Sequence, residues 1–301
     1  MTDLALSLKR SGLSCWPRIR KWAPCENACP LHMNIPGFVI SVAQGEFDDA
    51  YAIMRETNPF PGICGYVCHH PCENDCIRGR IDEPINSRAI HRFVVDRKLE
   101  RDMIEATPAE IYRERVAVIG SGPAGLTCAH DLALLGYRVT VFEEAPVAGG
   151  MLVLGIPEFV LPRHIVEAEI VLIQRTGVEI RTGTPLGKSL SIDDLWRDGF
   201  KAVLLATGSW RSLKLDIPGT ELTGVLPALQ FLRDYNRGKD LNIGEKVAVI
   251  GGGNVGIDTA RAALRLGARE VNLVCLECRE EMPAFEWEIR IAEEEGVRVH
   301  P

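Results

Sequence analysis

The chain has 301 residues, 46% of them apolar, and its 34 Lys+Arg against 41 Asp+Glu leave a formal charge of −7. This fits about two folded domains and excludes bulk disorder; an acidic balance without long like-charge runs also excludes nonspecific binding to nucleic acid or anionic membrane as the main activity. No apolar run reaches the ~18–20 residues that span a bilayer, and Leu4 to Leu8 beside Asp3 make no signal peptide. The expectation is a cytoplasmic protein with no nucleic-acid partner and no membrane insertion.

Up to about residue 110 the chain is rich in Cys and Pro with short helical patterns. Asn34-Ile35-Pro36 predicts a helix start, with Ile35, Phe38, Val39 and Val42 on one face. Asp48 or Asp49 opens a second helix that stops at Asn58-Pro59, and a third begins near Pro84 with Ile85, Ala89 and Phe93 as its apolar stripe. With no strand pattern, residues 1–110 are predicted as a small α-helical domain whose sparse core needs a metal cofactor.

Seven of the ten cysteines fall in this part, Cys15 among them. In a reducing compartment such grouping reads as metal ligation rather than disulfides. Cys25-x3-Cys29-Pro30 is like the end of an iron–sulfur run. Cys64, Cys68, Cys72 and Cys76 follow at even spacing around His69, His70 and Pro71. Six grouped thiols exceed the four that a structural zinc takes. A [4Fe-4S] cluster on Cys25, Cys29, Cys64, Cys68, Cys72 and Cys76 is the expectation, with zinc or inert buried thiols as the alternatives.

After a linker near Thr107 to Glu114 the texture changes to buried strands, Gly-rich turns and helices. Arg115 to Ile119 reads as an apolar strand running into Gly120-Ser121-Gly122-Pro123-Ala124-Gly125, then a helix with Leu126, Ala129, Leu132 and Leu135, then a strand Val139 to Phe142 ending at Glu143. This is a dinucleotide fingerprint in its strand–turn–helix–strand setting. Gly120 allows the tight turn, Gly122 lets backbone approach a pyrophosphate, Gly125 lets the helix pack on the strand, and Glu143 (or Glu144) accepts ribose hydroxyls. A second fingerprint follows: Lys246 to Ile250, Gly251-Gly252-Gly253-Asn254-Val255-Gly256, a helix through Ala260 and Leu264, and a strand Val271 to Val274. Two such units suggest a flavin reduced by a nicotinamide. The predicted architecture is α/β: an α-helical iron–sulfur domain (1–110), the first part of an FAD-binding domain (111–224) and a partial NAD(P)H-binding domain (225–301).

Further motifs carry a family resemblance. Gly149-Gly150-Met151-Leu152, Gly155-Ile156-Pro157-Glu158-Phe159 with Leu161-Pro162, Ala206-Thr207-Gly208 and Glu281-Met282-Pro283-Ala284, added to both fingerprints and the cysteine runs, resemble the small subunit of glutamate synthase and the amino-terminal half of dihydropyrimidine dehydrogenase. The resemblance implies an electron-transfer flavoenzyme carrying FAD, NAD(P)H and iron–sulfur, which delivers electrons to a redox partner subunit or a ferredoxin-like carrier. It places Gly150, Met151, Leu152 and Ile156 by the FAD and brings Thr207 and Gly208 close to the flavin. It assigns no acid–base catalytic residue.

The departures matter too. Where the family has two further cysteines, this chain has Pro17 and Arg20, so one cluster is expected; Cys15 and His91 are what a second would have to recruit. Relatives carry a Tyr-Arg-Arg-Ser stretch after the second strand of the nicotinamide unit; here Cys275, Leu276, Glu277 and Cys278 stand there. A carboxylate near the 2′ position favours NADH, and Arg279 keeps NADPH as the alternative. The Cys275/Cys278 pair faces the adenosine ribose, too far from the flavin to act as a dithiol, and Cys128 reads as a core residue. Relatives continue well past Val299, so the carboxyl-terminal part is expected to be incomplete, with the remainder supplied in cis or by a separate chain. The alternative is a truncated or split fragment acting as a non-catalytic metal- and nucleotide-binding module.

Overall fold

A computed structural model describes residues 22–99, 113–213 and 215–301. Cys15, Pro17, Arg20 and most of the predicted linker lie outside the described residues.

The amino-terminal part is helical. Helix α1 (Pro24–Ala28) precedes α2 (Ile35–Ala43), whose N-cap Asn34 accepts from the Gly37 N–H at 3.0 Å. Helix α3 (Phe47–Arg55) follows, with two acidic residues in its first turn and Arg55 in its last, both matched to the helix dipole. The cysteine run itself forms α4 (Pro61–Val67) and α5 (Pro71–Asn74), each begun by a proline whose missing N–H costs nothing in a first turn. Helix α6 (Ser87–Leu99) closes the domain.

Its apolar stripe differs from the expected one: Ile85 and Phe93 are exposed, and Ser87, His91, Val94 and Val95 are buried. The cause is a close approach to α4 at Gly65, where a Cβ would lie 3.1 Å from the Arg92 Cα. That contact turns the His91 face inward and leaves Phe93 edge-on to Phe47 at the surface.

Strand β1 (Arg115–Ile119), helix α7 (Pro123–Leu134), β2 (Arg138–Phe142), α8 (Met151–Leu154), α9 (Arg163–Arg175), β3 (Glu179–Arg181), α10 (Ile192–Arg197) and β4 (Phe200–Leu205) build a parallel sheet of order β3-β2-β1-β4. Leu126 and Ala129 are buried as expected, but Leu135 caps the helix and is exposed, and Ala133 takes the core position. Cys128 is only half-buried, on the flank of α7 rather than in the core. Helix α11 (Ala228–Asn236), β5 (Lys246–Ile250), α12 (Asn254–Arg265), β6 (Glu270–Val274), α13 (Glu286–Glu294) and β7 (Arg298–His300) form a second parallel sheet of order β5-β6-β7.

The helical part and the first sheet share one core. Phe60 and Ile63, at the start of α4, pack in the same cluster as Leu161, Ile165 and Val166 of the α/β unit. Beside them Glu169, 1% exposed, accepts a short hydrogen bond from the Gly62 N–H and a 3.2 Å bond from Arg55. A Cβ on Gly62 would stand 2.6 Å from the Glu169 Oε1, so any side chain there would displace that carboxylate. The helix that carries Cys64 is thus seated on a carboxylate of the neighbouring unit. Among the described residues no helix is long and apolar enough to cross a membrane.

Candidate functional site

The strand order of the first sheet reverses between β1 and β4, the switch point at which open α/β sheets bind ligands. A cavity of about 950 Å³ opens there, at the carboxyl ends of β1, β2 and β4. Of the residues singled out in the sequence, Gly120, Gly122, Pro123, Ala124, Glu143, Gly150, Met151, Thr207 and Gly208 line it. Gly125 lies behind: a Cβ there would sit 2.0 Å from the Gly120 carbonyl oxygen, which makes it the packing glycine of the motif. Gly122 has open space where a side chain would go, leaving the amino end of α7 free to receive phosphate.

Leu152 and Ile156 do not reach the cavity. Leu152 points into the core and Ile156 packs against it, because the single turn α8 directs them away from the sheet ends. Their carbonyls instead receive Arg163, at 2.9 and 2.8 Å, which fastens the Gly-Ile-Pro turn.

Glu143 has a second task that its position in the motif did not announce. Its buried carboxylate accepts from the Ser121 N–H (2.8 Å), the Ser121 hydroxyl (2.6 Å) and the Ala145 N–H (2.7 Å). The Ser121 oxygen in turn accepts from the Gly149 N–H at 3.0 Å. A carboxylate has about four acceptor sites, so room for one further donor, such as a ribose hydroxyl, remains. Glu144 is exposed and paired with Lys188.

Arg211, Arg233 and Arg237 also line the cavity and carried no signal in the sequence. The last two come from α11 and its C-cap, so the second unit contributes cations to the first unit's cavity. The Arg233 Nε is buried without a hydrogen-bond partner among the described residues. A wall of guanidinium groups, with the Arg233 Nε only loosely paired to Asp234 at 4.0 Å, fits the phosphates of a dinucleotide.

The second loop repeats the geometry. Gly251 adopts a φ of +125°, and a Cβ on Gly256 would lie 2.1 Å from the Gly251 carbonyl oxygen. Gly253 caps α12 with open space beside it, while the Asn254 Oδ1 accepts from the Phe285 N–H at 2.9 Å. A Cβ on Gly252 would stand 3.4 Å from the Glu277 Oε2, which puts this carboxylate at the loop. Arg279 is bonded to Glu286 (3.2 Å) and Glu293 (3.1 Å). Cys275 and Cys278 are not joined in a disulfide.

Of the six amino-terminal thiols, Cys25, Cys29 and Cys72 pack against the core of the helical part. Burial pushes the Cys64 thiol up to about 12, and the charges of Cys68, Glu169 and Cys29 add to that. Burial pushes Cys72 up to about 11, again with Cys68 and Cys29 contributing. Cys68 is raised by burial and by Cys29. Cys25, raised first by burial, feels Cys76 instead. Cys29 and Cys68 are thus the thiols that act on Cys64 and Cys72, and Cys76 the one that acts on Cys25.

Donors already point at several sulfurs: the His70 N–H at Cys68 (3.3 Å), the Ile85 N–H at Cys76 (3.5 Å) and Ser87, one helical turn before His91, within 3.1 Å of Cys72. The His91 Nε2 is buried with no hydrogen-bond partner among the described residues. Among the described residues no three Cys, His, Asp or Glu side chains converge on a point that would hold a single metal ion. Six grouped, reduced thiols, with N–H donors on several sulfurs, suit an iron–sulfur cluster better than one zinc ion, which takes four ligands.

Comparison with known proteins agrees with this geometry. Residues 114–301 match the family model of pyridine nucleotide-disulphide oxidoreductases, and residues 15–103 that of dihydropyrimidine dehydrogenase domain II, 4Fe-4S cluster. The chain belongs to the pyridine nucleotide-disulphide oxidoreductase family, with an amino-terminal iron–sulfur domain, and the resemblance drawn from its motifs holds. It is 42% identical to the NADP(+)-dependent formate dehydrogenase subunit beta of Moorella thermoacetica, over 92% of this chain and 43% of that protein. It is 40% identical to the NADPH-Fe(3+) oxidoreductase subunit beta of Geobacter sulfurreducens (92% and 42%) and 32% identical to the glutamate synthase [NADPH] small chain of Azospirillum brasilense (91% and 60%). It thus spans less than half the length of the first two. FprA of Mycobacterium tuberculosis shares the fold over 62% of this chain and 48% of its own, with a TM-score of 0.53 at 22% identity.

Proposed function

We propose that this chain is the NADH-oxidising, electron-transferring part of a cytoplasmic flavoenzyme, passing reducing equivalents through FAD and a [4Fe-4S] cluster to a redox partner subunit or a ferredoxin-like carrier. The observation that carries this reading is the seating of the Cys64 helix on the dinucleotide unit, through Phe60, Ile63 and the Glu169 carboxylate. A thiol-bearing helix seated on a dinucleotide domain serves electron exchange with its contents better than it serves a detached structural metal. The same packing disfavours the reading as a non-catalytic binding module. We divide the chain into residues 1–110, 111–224 and 225–301, with the core of the first unit continuous across the first boundary.

Gly120, Gly122 and the amino end of α7 would receive the FAD pyrophosphate, Glu143 the ribose, and Thr207 and Gly208 the flavin side of the cavity. FAD, when bound, accepts the electron pair of a hydride and releases electrons singly. Cys29, Cys64, Cys68 and Cys72 would hold the cluster. Gly251, Gly253, Asn254 and Gly256 would bind the nicotinamide dinucleotide, with Glu277 at its adenosine ribose.

The relatives carry NADP names, whereas the local residues favour NADH: Glu277 borders the loop and Arg279 is engaged with two glutamates. Steady-state dye reduction is expected to prefer NADH by about tenfold or more, ~1.4 kcal/mol, and Glu277→Arg to move the preference toward NADPH. A wild-type preference for NADPH of that size would contradict the assignment and make Arg279 the phosphate-reading residue.

A further inference from the structure

The thiol loop and the nicotinamide-side loop meet through a stack of rings. His69 lies parallel to Phe285, with centroids 5.6 Å apart and planes 5° from parallel, and Phe285 stacks on Trp287 at 4.6 Å. His70 packs on the same Trp287 at 4.6 Å, and the Arg88 guanidinium sits 5.0 Å over its ring. His69 and His70 lie between Cys68 and Cys72; Phe285 and Trp287 lead into and begin α13.

Each end of the stack is fastened to a functional loop. On one side the Phe285 N–H donates to the Asn254 Oδ1 at 2.9 Å and the Ala284 N–H to the Gly252 carbonyl at 3.0 Å. On the other, His70 adopts a left-handed conformation, φ +46°, and in it donates its N–H to the Cys68 sulfur at 3.3 Å. A non-glycine residue keeps such a backbone only where its surroundings impose it. Here the His70 ring packs on Trp287 and the His69 ring on Phe285, and Arg88 adds a 3.3 Å bond to the Cys68 carbonyl, so the turn is held from the α13 side as well as by its own contacts to Cys68 and Glu73. Hydrogen bonds to cluster sulfurs are among the factors that set a cluster's potential.

We propose that Phe285 and Trp287 are positioning residues that clamp the His69-His70 turn, so that a dinucleotide in the Gly251–Gly256 loop and the redox state of the cluster at Cys68 influence each other. This rests on the functional reading above, in which Cys68 holds a cluster and that loop holds a dinucleotide. By linkage the effect is reciprocal: if occupancy of the loop shifts the potential, reduction of the cluster shifts affinity by the same factor.

The test uses ADP-ribose, which fills a dinucleotide loop but carries no nicotinamide and exchanges no hydride. Its dissociation constant is measured on anaerobic holoprotein with the cluster oxidised and with it reduced by dithionite. The cluster's midpoint potential is followed by electron paramagnetic resonance with and without saturating ADP-ribose. The expected result is an affinity ratio of at least about threefold and a matching potential shift of about 28 mV, from 59 mV per tenfold for one electron. Phe285→Leu is expected to remove both while iron content and ADP-ribose binding persist, and Phe285→Tyr, which keeps a flat ring, to retain both. Equal affinities in the wild type, whatever the variants do, overturn the inference. So does coupling that survives Phe285→Leu, which would make it a through-space charge effect. Protein without iron, or without affinity for ADP-ribose, overturns the functional reading together with the inference, and is thereby distinguished from failure of the clamp alone.

Discussion

Gly125→Val is expected to strip the flavin from the protein and lower its melting temperature, whereas Gly122→Ala is expected to weaken flavin binding at an unchanged melting temperature. The two glycines stand in one loop for different reasons. At Gly125 a Cβ meets the Gly120 carbonyl oxygen at 2.0 Å and the Val118 side chain at 3.2 Å. The first of these is backbone, so no rotamer relieves it; strand and helix must part, at a cost on the order of 1–3 kcal/mol or more. At Gly122 a Cβ meets nothing within 4 Å. The fold tolerates it, and the methyl group stands only in the way of a pyrophosphate, so a loss of about tenfold in affinity, ~1.4 kcal/mol, is expected. Flavin released on denaturation and thermal melts of both variants check the pair. Equal loss of stability in the two would contradict the geometry of the loop.

The second large effect concerns the thiols. Cys29→Ser, Cys64→Ser, Cys68→Ser and Cys72→Ser are each expected to reduce iron from about four atoms per chain to below about one, with a fall in the stability of the helical part, because metal binding there is folding free energy. Cys25→Ser and Cys76→Ser are expected to leave the iron nearly unchanged. The division tests the proposal that Cys29, Cys64, Cys68 and Cys72 are the four ligands. Iron and acid-labile sulfide assays on anaerobically prepared variants measure it. Loss of iron in Cys25→Ser as deep as in Cys68→Ser would show that a single site draws on both groups.

Both glycine loops were legible in the sequence because their spacing answers to backbone sterics within a few residues, and no distant part of the chain can change that requirement. The strands around the first loop were legible for a related reason: β1 and β2 are buried on both faces and so leave continuous apolar runs. The helices inside the cysteine run, opened by Pro61 and Pro71, were not, since seven and four residues are too few to leave a helical apolar period. The buried face of α6 was hidden as well, because it is chosen by Gly65, more than twenty residues away in the chain. Ser121, Arg233 and Arg237 were missed for want of any local pattern; their roles exist only once β2, the Gly149 turn and α11 have been brought together. Glu169 belongs with them: inside α9 it looks like one acid among several, and its burial under Gly62 is a fact of tertiary structure.

The central claim, that one chain joins a nicotinamide site, a flavin site and a cluster in electronic contact, is tested most directly by adding NADH to the anaerobically purified protein while recording flavin absorbance and electron paramagnetic resonance together. The account predicts about four iron and four sulfide per chain, flavin bleaching on addition of NADH, and a cluster signal that rises with it. Stoichiometric zinc without acid-labile sulfide, or flavin that bleaches while the cluster stays oxidised at a potential it should accept, would contradict it.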